Sequence, residues 1–345
     1  MACTMPTEPD IPVIDVAPLF GGACAARDRA DRALLAAASH VGFFVACGLP
    51  ADVPLGAAAR TELLRLFELP ETERRRLWRQ KFAPSHANRY RGWFPLQSGF
   101  LTSKEGIDLG ADLAYGASVV QEDDPLREAT PLPPEEALPG WRRSAARYYR
   151  AMESIGRALM RGVARNLGLH EQFFDPVFDR GLSTLRLIRY PLRTDLEAAT
   201  RNNPDLWILH DGARLHLIGA PHVDSGFLTL LAQDGVAGLQ ARHRSGEWLD
   251  VPPTERSLAV NFGAVLERWS GGRIKATMHR VVGGAAERRS IPFFYEARAD
   301  AEIRPLPGDP PDAFEPFLYG DHLWESTTQF VEFKGLEGLH RRRRE

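Results

Sequence analysis

The sequence predicts a mainly β fold with flanking helices, a jelly roll built from the C-terminal half of the chain. From residue 184 onward eight short segments rich in branched and aromatic residues follow one another, each bounded by turn residues: TLRLIRYP, RLHLIGAPHVD, FLTLLAQD, GLQARH, EWLDVPP, SLAVNFG, ATMHRVV and SIPFFYEA. Many short strands at close intervals favour a sandwich or barrel, and eight suit a jelly roll. Ahead of them runs one long helical pattern, residues 141 to 168, in which Tyr148, Met152, Ile155, Leu159, Val163 and Leu167 recur at spacings of four and three. That spacing marks one buried stripe on a scaffold helix.

The elements before the helix are shorter. IPVIDV is a β-branched run, CAARDRADRALLAAASHVG an Ala-rich helix stopped at Gly42, and FFVACGLP a second strand closed by Gly48 and Pro50. ADVPLGAAARTELLRLFEL and PETERRRLWRQ, residues 51–69 and 70–80, are expected to be helical, the second opening with Pro70 at a favoured first-turn position. Residues 83–106 carry Pro, Gly and Ser with little periodicity and predict a long ordered loop or short irregular strands. The Pro-rich DDPLREATPLPPEEALPG then separates an N-terminal region, residues 1–125, from a core region, residues 126–345. The two are expected to form one integrated domain.

Composition excludes several classes. The chain has 345 residues, 44% hydrophobic, 26% charged, with a formal net charge of -2, so no global field draws it to nucleic acid or to an acidic membrane. The first residues, MACTMPTEPDIPVIDV, lack the basic start and apolar core of a signal peptide, and no run approaches the roughly 18 apolar residues of a spanning helix. A cytoplasmic protein, monomeric or weakly oligomeric, is expected. Cys3, Cys24 and Cys47 are odd in number and confined to the first fifty residues, which offers neither a disulfide framework nor a zinc spacing and leaves free thiols. The terminal run Arg341 to Arg344 lacks interleaved aromatics and reads as a solvated tail.

Chemistry concentrates in GAPHVDSGFLTLL. In a strand successive side chains alternate, so His222 and Asp224 share a side while Val223 faces away. A His-x-acid triplet arises about once by chance in a chain of this composition, and a strand-end turn in which Asp224 caps a backbone N–H is the competing reading. A third donor, His279 of IKATMHRVV, raises the weight of a metal site, because non-haem Fe(II) centres use two His and one carboxylate and leave the opposite positions open. After it, VVGGAAERRSIPFF is expected to reverse the chain at Gly-Gly and to set Arg288 and Ser290 on one face of the next strand. A guanidinium fork with an adjacent hydroxyl matches a carboxylate.

These residues, in this order and with about 55 and 9 residues between successive elements, resemble the Fe(II)- and 2-oxoglutarate-dependent dioxygenases of the isopenicillin N synthase-like superfamily. IPVIDVAPL, HVGFFVACGLP, LIRYP, GFLTLLAQDGVAGLQ, EWLDVPP, VNFGAVLERWSGGRIKATMHRVV and RRSIPFFYEA extend the likeness over roughly residues 10 to 300. The resemblance implies a double-stranded β-helix (a jelly roll) with the long helix packed outside the sheet. It implies iron held by His222, Asp224 and His279, and 2-oxoglutarate held through its distal carboxylate by Arg288 and Ser290, with Tyr190 helping to hold a carboxylate in the same pocket. It also implies O2 as oxidant, succinate and CO2 as co-products, and hydroxylation as the default outcome on a small-molecule substrate.

Two departures stand out. Ala264 replaces the Asp that usually follows the Gly of VNFG, removing a helix cap and no ligand. Ser225 replaces a common aromatic, which opens or polarises the pocket beside the iron. The polar stretch LRTDLEAATRNNPDLWILHDGARLH is closer to the penicillin-forming branch, where the Arg-x-Ser pair binds the substrate's own carboxylate and 2-oxoglutarate is not used. A catalytically silent binder of the same fold is the third reading, whose signature would be a lost ligand. Candidate substrate-binding residues are Arg91, Phe94, Lys104, Phe227 and Phe294, with Trp93 beside them. If Arg91 or Lys104 faces the iron, a carboxylate-bearing substrate is favoured.

Overall fold

The computed structural model describes residues 10–96, 103–192, 204–210, 212–283, 286–330, 333, 335 and 336. Two sheets form its centre. The larger contains β11 (Leu258–Phe262), β8 (Leu228–Gln233), β13 (Arg288–Tyr295) and β5 (Thr184–Tyr190) side by side. The smaller contains β10 (Trp248–Asp250), β9 (Leu239–Arg242), β12 (His279–Gly283) and β7 (Ala213–His222). These eight strands are the eight segments read from the sequence, divided four and four as a jelly roll requires.

Shorter strands widen both sheets. β2 (Phe43–Cys47) and β1 (Val13–Asp15) continue the large sheet beyond β11, while β4 (Glu105–Leu109) and β3 (Gly92–Phe94) continue it beyond β5. β6 (Trp207–His210) edges the small sheet beside β7. β14 (Glu302–Ile303) and β15 (Phe317–Leu318) make a separate two-stranded pair. The N-terminal strands thus hydrogen-bond directly onto the jelly roll, which covers edges that would otherwise be open to pairing with another chain.

The long helix spans Trp141–Asn166. Tyr148, Met152, Ile155, Leu159 and Val163 are all buried in the main core, and Leu167 packs at its margin. Each of these large side chains contributes roughly 1.5–3 kcal/mol by leaving water. The helix approaches the outer face of the large sheet closely at Gly156, where an added Cβ would meet the Tyr295 ring at 2.7–2.9 Å. Tyr149 meets Phe293 edge-on in the same layer. A second, smaller apolar cluster lies between the two sheets, with Ile188, Tyr190, Ile218, Leu239 and Val281 among its members.

Two helical expectations are shortened. Residues 51–69 give a helix only over Ala57–Leu64, followed by a 3-10 turn at Arg65–Glu68. Pro54 disfavours helical geometry at Val53 and Gly56 becomes the helix boundary. Residues 70–80 are helical only over Glu71–Arg75, because the chain then turns to pair with β3: Trp93 N–H donates to the Leu77 carbonyl and Arg79 N–H to the Trp93 carbonyl. The weakly periodic stretch that follows supplies β3 and β4 on either side of residues 97–102, which lie outside the described residues.

Among the described residues no helix is long and apolar enough to cross a membrane. Cys24 and Cys47 are free thiols. Cys3, the Arg341–Arg344 run and residues 193–203 of the polar stretch lie outside the described residues.

Candidate metal centre and active-site cavity

His222 is the last residue of β7 and pairs in register with His279, the first residue of β12. This pairing fixes the imidazoles at a ring-centroid separation of 4.3 Å. Asp224 does not share the strand: β7 ends at His222, and the carboxylate reaches the same side through the turn that leads to β8. That turn is held by backbone bonds. Ala264 N–H donates to the Asp224 carbonyl and Val265 N–H to the Gly226 carbonyl, so the helix Ala264–Trp269 uses these carbonyls where a side-chain cap is absent at Gly263. The Ala264 departure is accommodated by the loop that carries the carboxylate.

Hydrogen bonds orient all three donors. His222 Nδ1 lies 2.8 Å from the Ala220 carbonyl and His279 Nδ1 3.1 Å from the Thr277 carbonyl. A carbonyl can only accept, so each ring holds a proton on Nδ1, and the neutral form of each has its lone pair on Nε2. Asp224 Oδ2 accepts from Thr229 Oγ1 at 2.6 Å and Asn261 Nδ2 at 2.8 Å, which leaves Oδ1 uncommitted. The two Nε2 atoms lie 3.6 and 3.7 Å from Oδ1. Those separations are below the roughly 4 Å that two metal bonds of about 2.1 Å can bridge, and the three ligating atoms all fall within 4.8 Å of one another. The competing turn reading fails in detail, since the Asp224 carboxylate takes a hydroxyl and a side-chain amide rather than a backbone N–H.

The electrostatics agree with a metal-ready donor set. Burial, with the neighbouring His279, pushes the His222 imidazole down to about 4, so the ring is neutral at ordinary pH. Burial opposes ionisation of Asp224, yet His279, His222, Thr229 and Asn261 together hold its carboxyl below the usual range. Two imidazoles and one carboxylate, each with its second atom engaged, fit Fe(II) and leave open positions for other ligands.

A cavity of about 530 Å³ opens against His222 and Asp224. This is within the usual range for small-molecule sites. Tyr190, Lys104, Ser225, Phe227 and Phe294 lie on its wall, and Leu323, Thr327, Phe330 and Phe333 close it from the C-terminal helix Tyr319–Thr327 and the segment after it. Phe330 meets the His222 ring edge-on at 6.2 Å.

Arg288 and Ser290 are each 2% exposed and are not themselves on that wall. They occupy the same face of β13 as Phe294, because alternate residues of a strand share a side. The Arg288 guanidinium lies 5.3 Å from the centroid of the Tyr190 ring, which is on the wall. It has no carboxylate partner among the described residues, and its buried Nε has no acceptor. A buried cation left in this state fits a carboxylate-bearing ligand. β12 and β13 belong to different sheets, and the second glycine of the expected Gly-Gly reversal, at 284, lies with 285 outside the described residues.

Two substrate expectations are also corrected. Arg91 is 2% exposed and is not on the wall of the large cavity. Its Nη1 donates to Thr184 Oγ1 at 2.5 Å and its Nη2 to the Leu182 and Leu126 carbonyls, so it braces the backbone. Phe94 is fully buried beneath the guanidiniums of Arg79 and Arg186, and Trp93 packs edge-on against Phe67.

The site also contains residues that sequence reasoning passed over. Thr229, Asn261 and Gln233 are polar positions on inward faces of β8 and β11, and their alternation within FLTLLAQD and SLAVNFG was the available signal. Glu296 lies on the cavity wall with Gly226 against its carboxylate, accepts a hydrogen bond from the Tyr319 hydroxyl, and is pushed up to about 8 by burial.

Comparison with known proteins gives concordant results. Residues 189–297 match the model of the 2OG-Fe(II) oxygenase superfamily, and residues 11–135 match that of the non-haem dioxygenase in morphine synthesis N-terminal region. The 2-oxoglutarate-Fe(II) type oxidoreductase hxnY of Emericella nidulans is 30% identical over 315 residues, covering 88% of this chain and 83% of that protein. Isopenicillin N synthase of Amycolatopsis lactamdurans is 30% identical over 327 residues, covering 91% and 94%. Among solved structures, Neurospora crassa T7H in complex with alpha-KG and 5-formyluracil superposes with a TM-score of 0.74 at 25% identity, over 92% of this chain and 95% of that one.

Proposed function

The chain belongs to the 2OG-Fe(II) oxygenase superfamily, and from that membership we propose that it oxidises an unactivated C–H bond of a small-molecule substrate, by hydroxylation, with succinate and CO2 as co-products. It is an oxidoreductase of the dioxygenase type, with Fe(II) as its metal and 2-oxoglutarate as its cosubstrate. The observation that carries the proposal is the meeting of two Nε2 lone pairs and one free carboxylate oxygen beside an open cavity.

In this reading His222, Asp224 and His279 would hold the ion. Bound iron with O2 and 2-oxoglutarate supplies the oxidising power that no side chain possesses. The rest of the work belongs to the chain. The carbonyls of Ala220 and Thr277 keep both imidazoles in the ligating tautomer, and Thr229 with Asn261 keeps Asp224 Oδ1 forward. Arg288 and Ser290 would take the distal carboxylate of 2-oxoglutarate, with Tyr190 beside them. Phe227, Phe294 and Phe330 would exclude water around the substrate's apolar body, and Lys104 would attract a substrate carboxylate toward the His222 end.

The likeness to isopenicillin N synthase favours a second reading, an Fe(II) oxidase in which Arg288 and Ser290 grip the substrate's own carboxylate and 2-oxoglutarate is not consumed. One assay separates the two. Anaerobically purified protein is given Fe(II), 2-oxoglutarate, O2 and a panel of small carboxylic acids, and succinate is measured. Succinate that Arg288→Ala abolishes supports the cosubstrate reading. O2 uptake without succinate supports the oxidase, and failure to bind iron at neutral pH overturns both.

A further inference from the structure

We propose that Gln233 is the positioning residue of the anion grip: it aims the Arg288 guanidinium and, being neutral, leaves that charge for the carboxylate of 2-oxoglutarate. The inference rests on the reading of Arg288 given above. Gln233 stands on β8 directly opposite Ser290 on β13, so the strand register places it beside both members of the Arg-x-Ser pair. Its Oε1 accepts from Arg288 Nη2 at 3.1 Å, and its Nε2 faces the carbonyls of Val251 at 3.3 Å and Pro252 at 3.4 Å.

Those two carbonyls fix the amide. Reversing it would set its NH2 group against a guanidinium, donor to donor, and its oxygen against two acceptors. The loop after β10 therefore determines which atom Gln233 shows to Arg288, and through it the direction of the fork. Gln233 is 8% exposed and Arg288 2%, so water does not substitute for this contact.

Charge explains why an amide serves here better than an acid. A carboxylate in place of Oε1 would form a charge-assisted pair with Arg288 and compete with the incoming ligand. Gln233 accepts one bond from the guanidinium and neutralises nothing. Arg288 accordingly keeps its full charge in a buried position with no acidic partner among the described residues, and its Nε stays without an acceptor.

The test uses the full chain with Mn(II) in place of Fe(II), titrated calorimetrically with 2-oxoglutarate, together with steady-state KM and kcat on the iron enzyme. Gln233→Met keeps the volume and Gln233→Glu keeps the shape, so loss of fold in one leaves the other as the test. Both should weaken 2-oxoglutarate binding about tenfold or more, as expected for a lost hydrogen bond to a charged group. KM for 2-oxoglutarate should rise while kcat at saturation and Mn(II) affinity hold. Parental 2-oxoglutarate affinity in the folded variants would overturn the role of Gln233. Parental affinity in Arg288→Ala would instead overturn the underlying reading of the grip, and a Mn(II) affinity that falls in parallel would reduce Gln233 to a structural residue.

Discussion

Replacing Thr229 by Val and Asn261 by Leu removes both donors from Asp224 Oδ2 while nearly preserving volume. The two bonds measure 2.6 and 2.8 Å and end on a carboxylate that is 9% exposed, so water does not replace them. A hydrogen bond to a charged group contributes roughly 1.5–3 kcal/mol, and lost partners of a metal ligand typically cost about 10–100-fold in metal affinity. Each single variant should therefore bind Mn(II) at least about tenfold more weakly. The double variant should fall short of the product of the two, because both donors act on one oxygen. The same donors help to hold the Asp224 carboxyl below its usual range. Without them its affinity for protons rises, and metal release on acidification should move to higher pH. Calorimetric titration of Mn(II) across pH 5 to 8 measures both effects. A double variant with parental affinity and parental pH dependence would refute the argument that Asp224 is aimed by Thr229 and Asn261.

Gly156→Ala should lower Tm although Ala is the better helix former, because the added Cβ would lie 2.7–2.9 Å from the Tyr295 ring; overpacking of this kind costs about 1–3 kcal/mol, and an unchanged or higher Tm would contradict it. Glu296 has a folded-state value of about 8 against an ordinary 4.5, so between those values the folded protein binds more protons than the unfolded one. Its contribution to stability is present below about pH 4.5 and is lost as pH rises through 8. Glu296→Gln should flatten the decline of Tm with rising pH over that window in the metal-free protein, and an identical slope in both proteins would count against the buried-acid assignment. Gly226→Ala should displace the turn that carries Asp224, since its Cβ would meet the Glu296 carboxylate oxygens at 2.2 and 2.3 Å, and metal titration reads the loss.

The fold was legible because its signals are local. Eight branched, turn-bounded segments became eight strands, and the Tyr148 to Val163 stripe became the buried face of the long helix. Which strand neighbours which was not legible: a period of two tells a side chain's face but not its sheet, and β12 and β13, nine residues apart at His279 and Arg288, lie in different layers. The pairing of His222 with His279 is likewise a property of register between strands some 55 residues apart in sequence. Arg91 shows a further limit. Charge reads as an invitation to an anionic substrate, yet this guanidinium is buried against a hydroxyl and two carbonyls that no sequence spacing announces. Thr229, Gln233 and Asn261 were readable in principle, as polar residues at inward positions of otherwise apolar strands, where burial demands a partner.

The central claim is that one ferrous ion is held jointly by the ends of β7 and β12 and the turn between β7 and β8. Anaerobic Fe(II) titration of the parent and of His222→Ala, Asp224→Ala and His279→Ala tests it most directly. The account predicts one equivalent bound by the parent and a loss of affinity in each variant with the fold retained. Undiminished binding in His279→Ala, the ligand most distant in sequence, would contradict it.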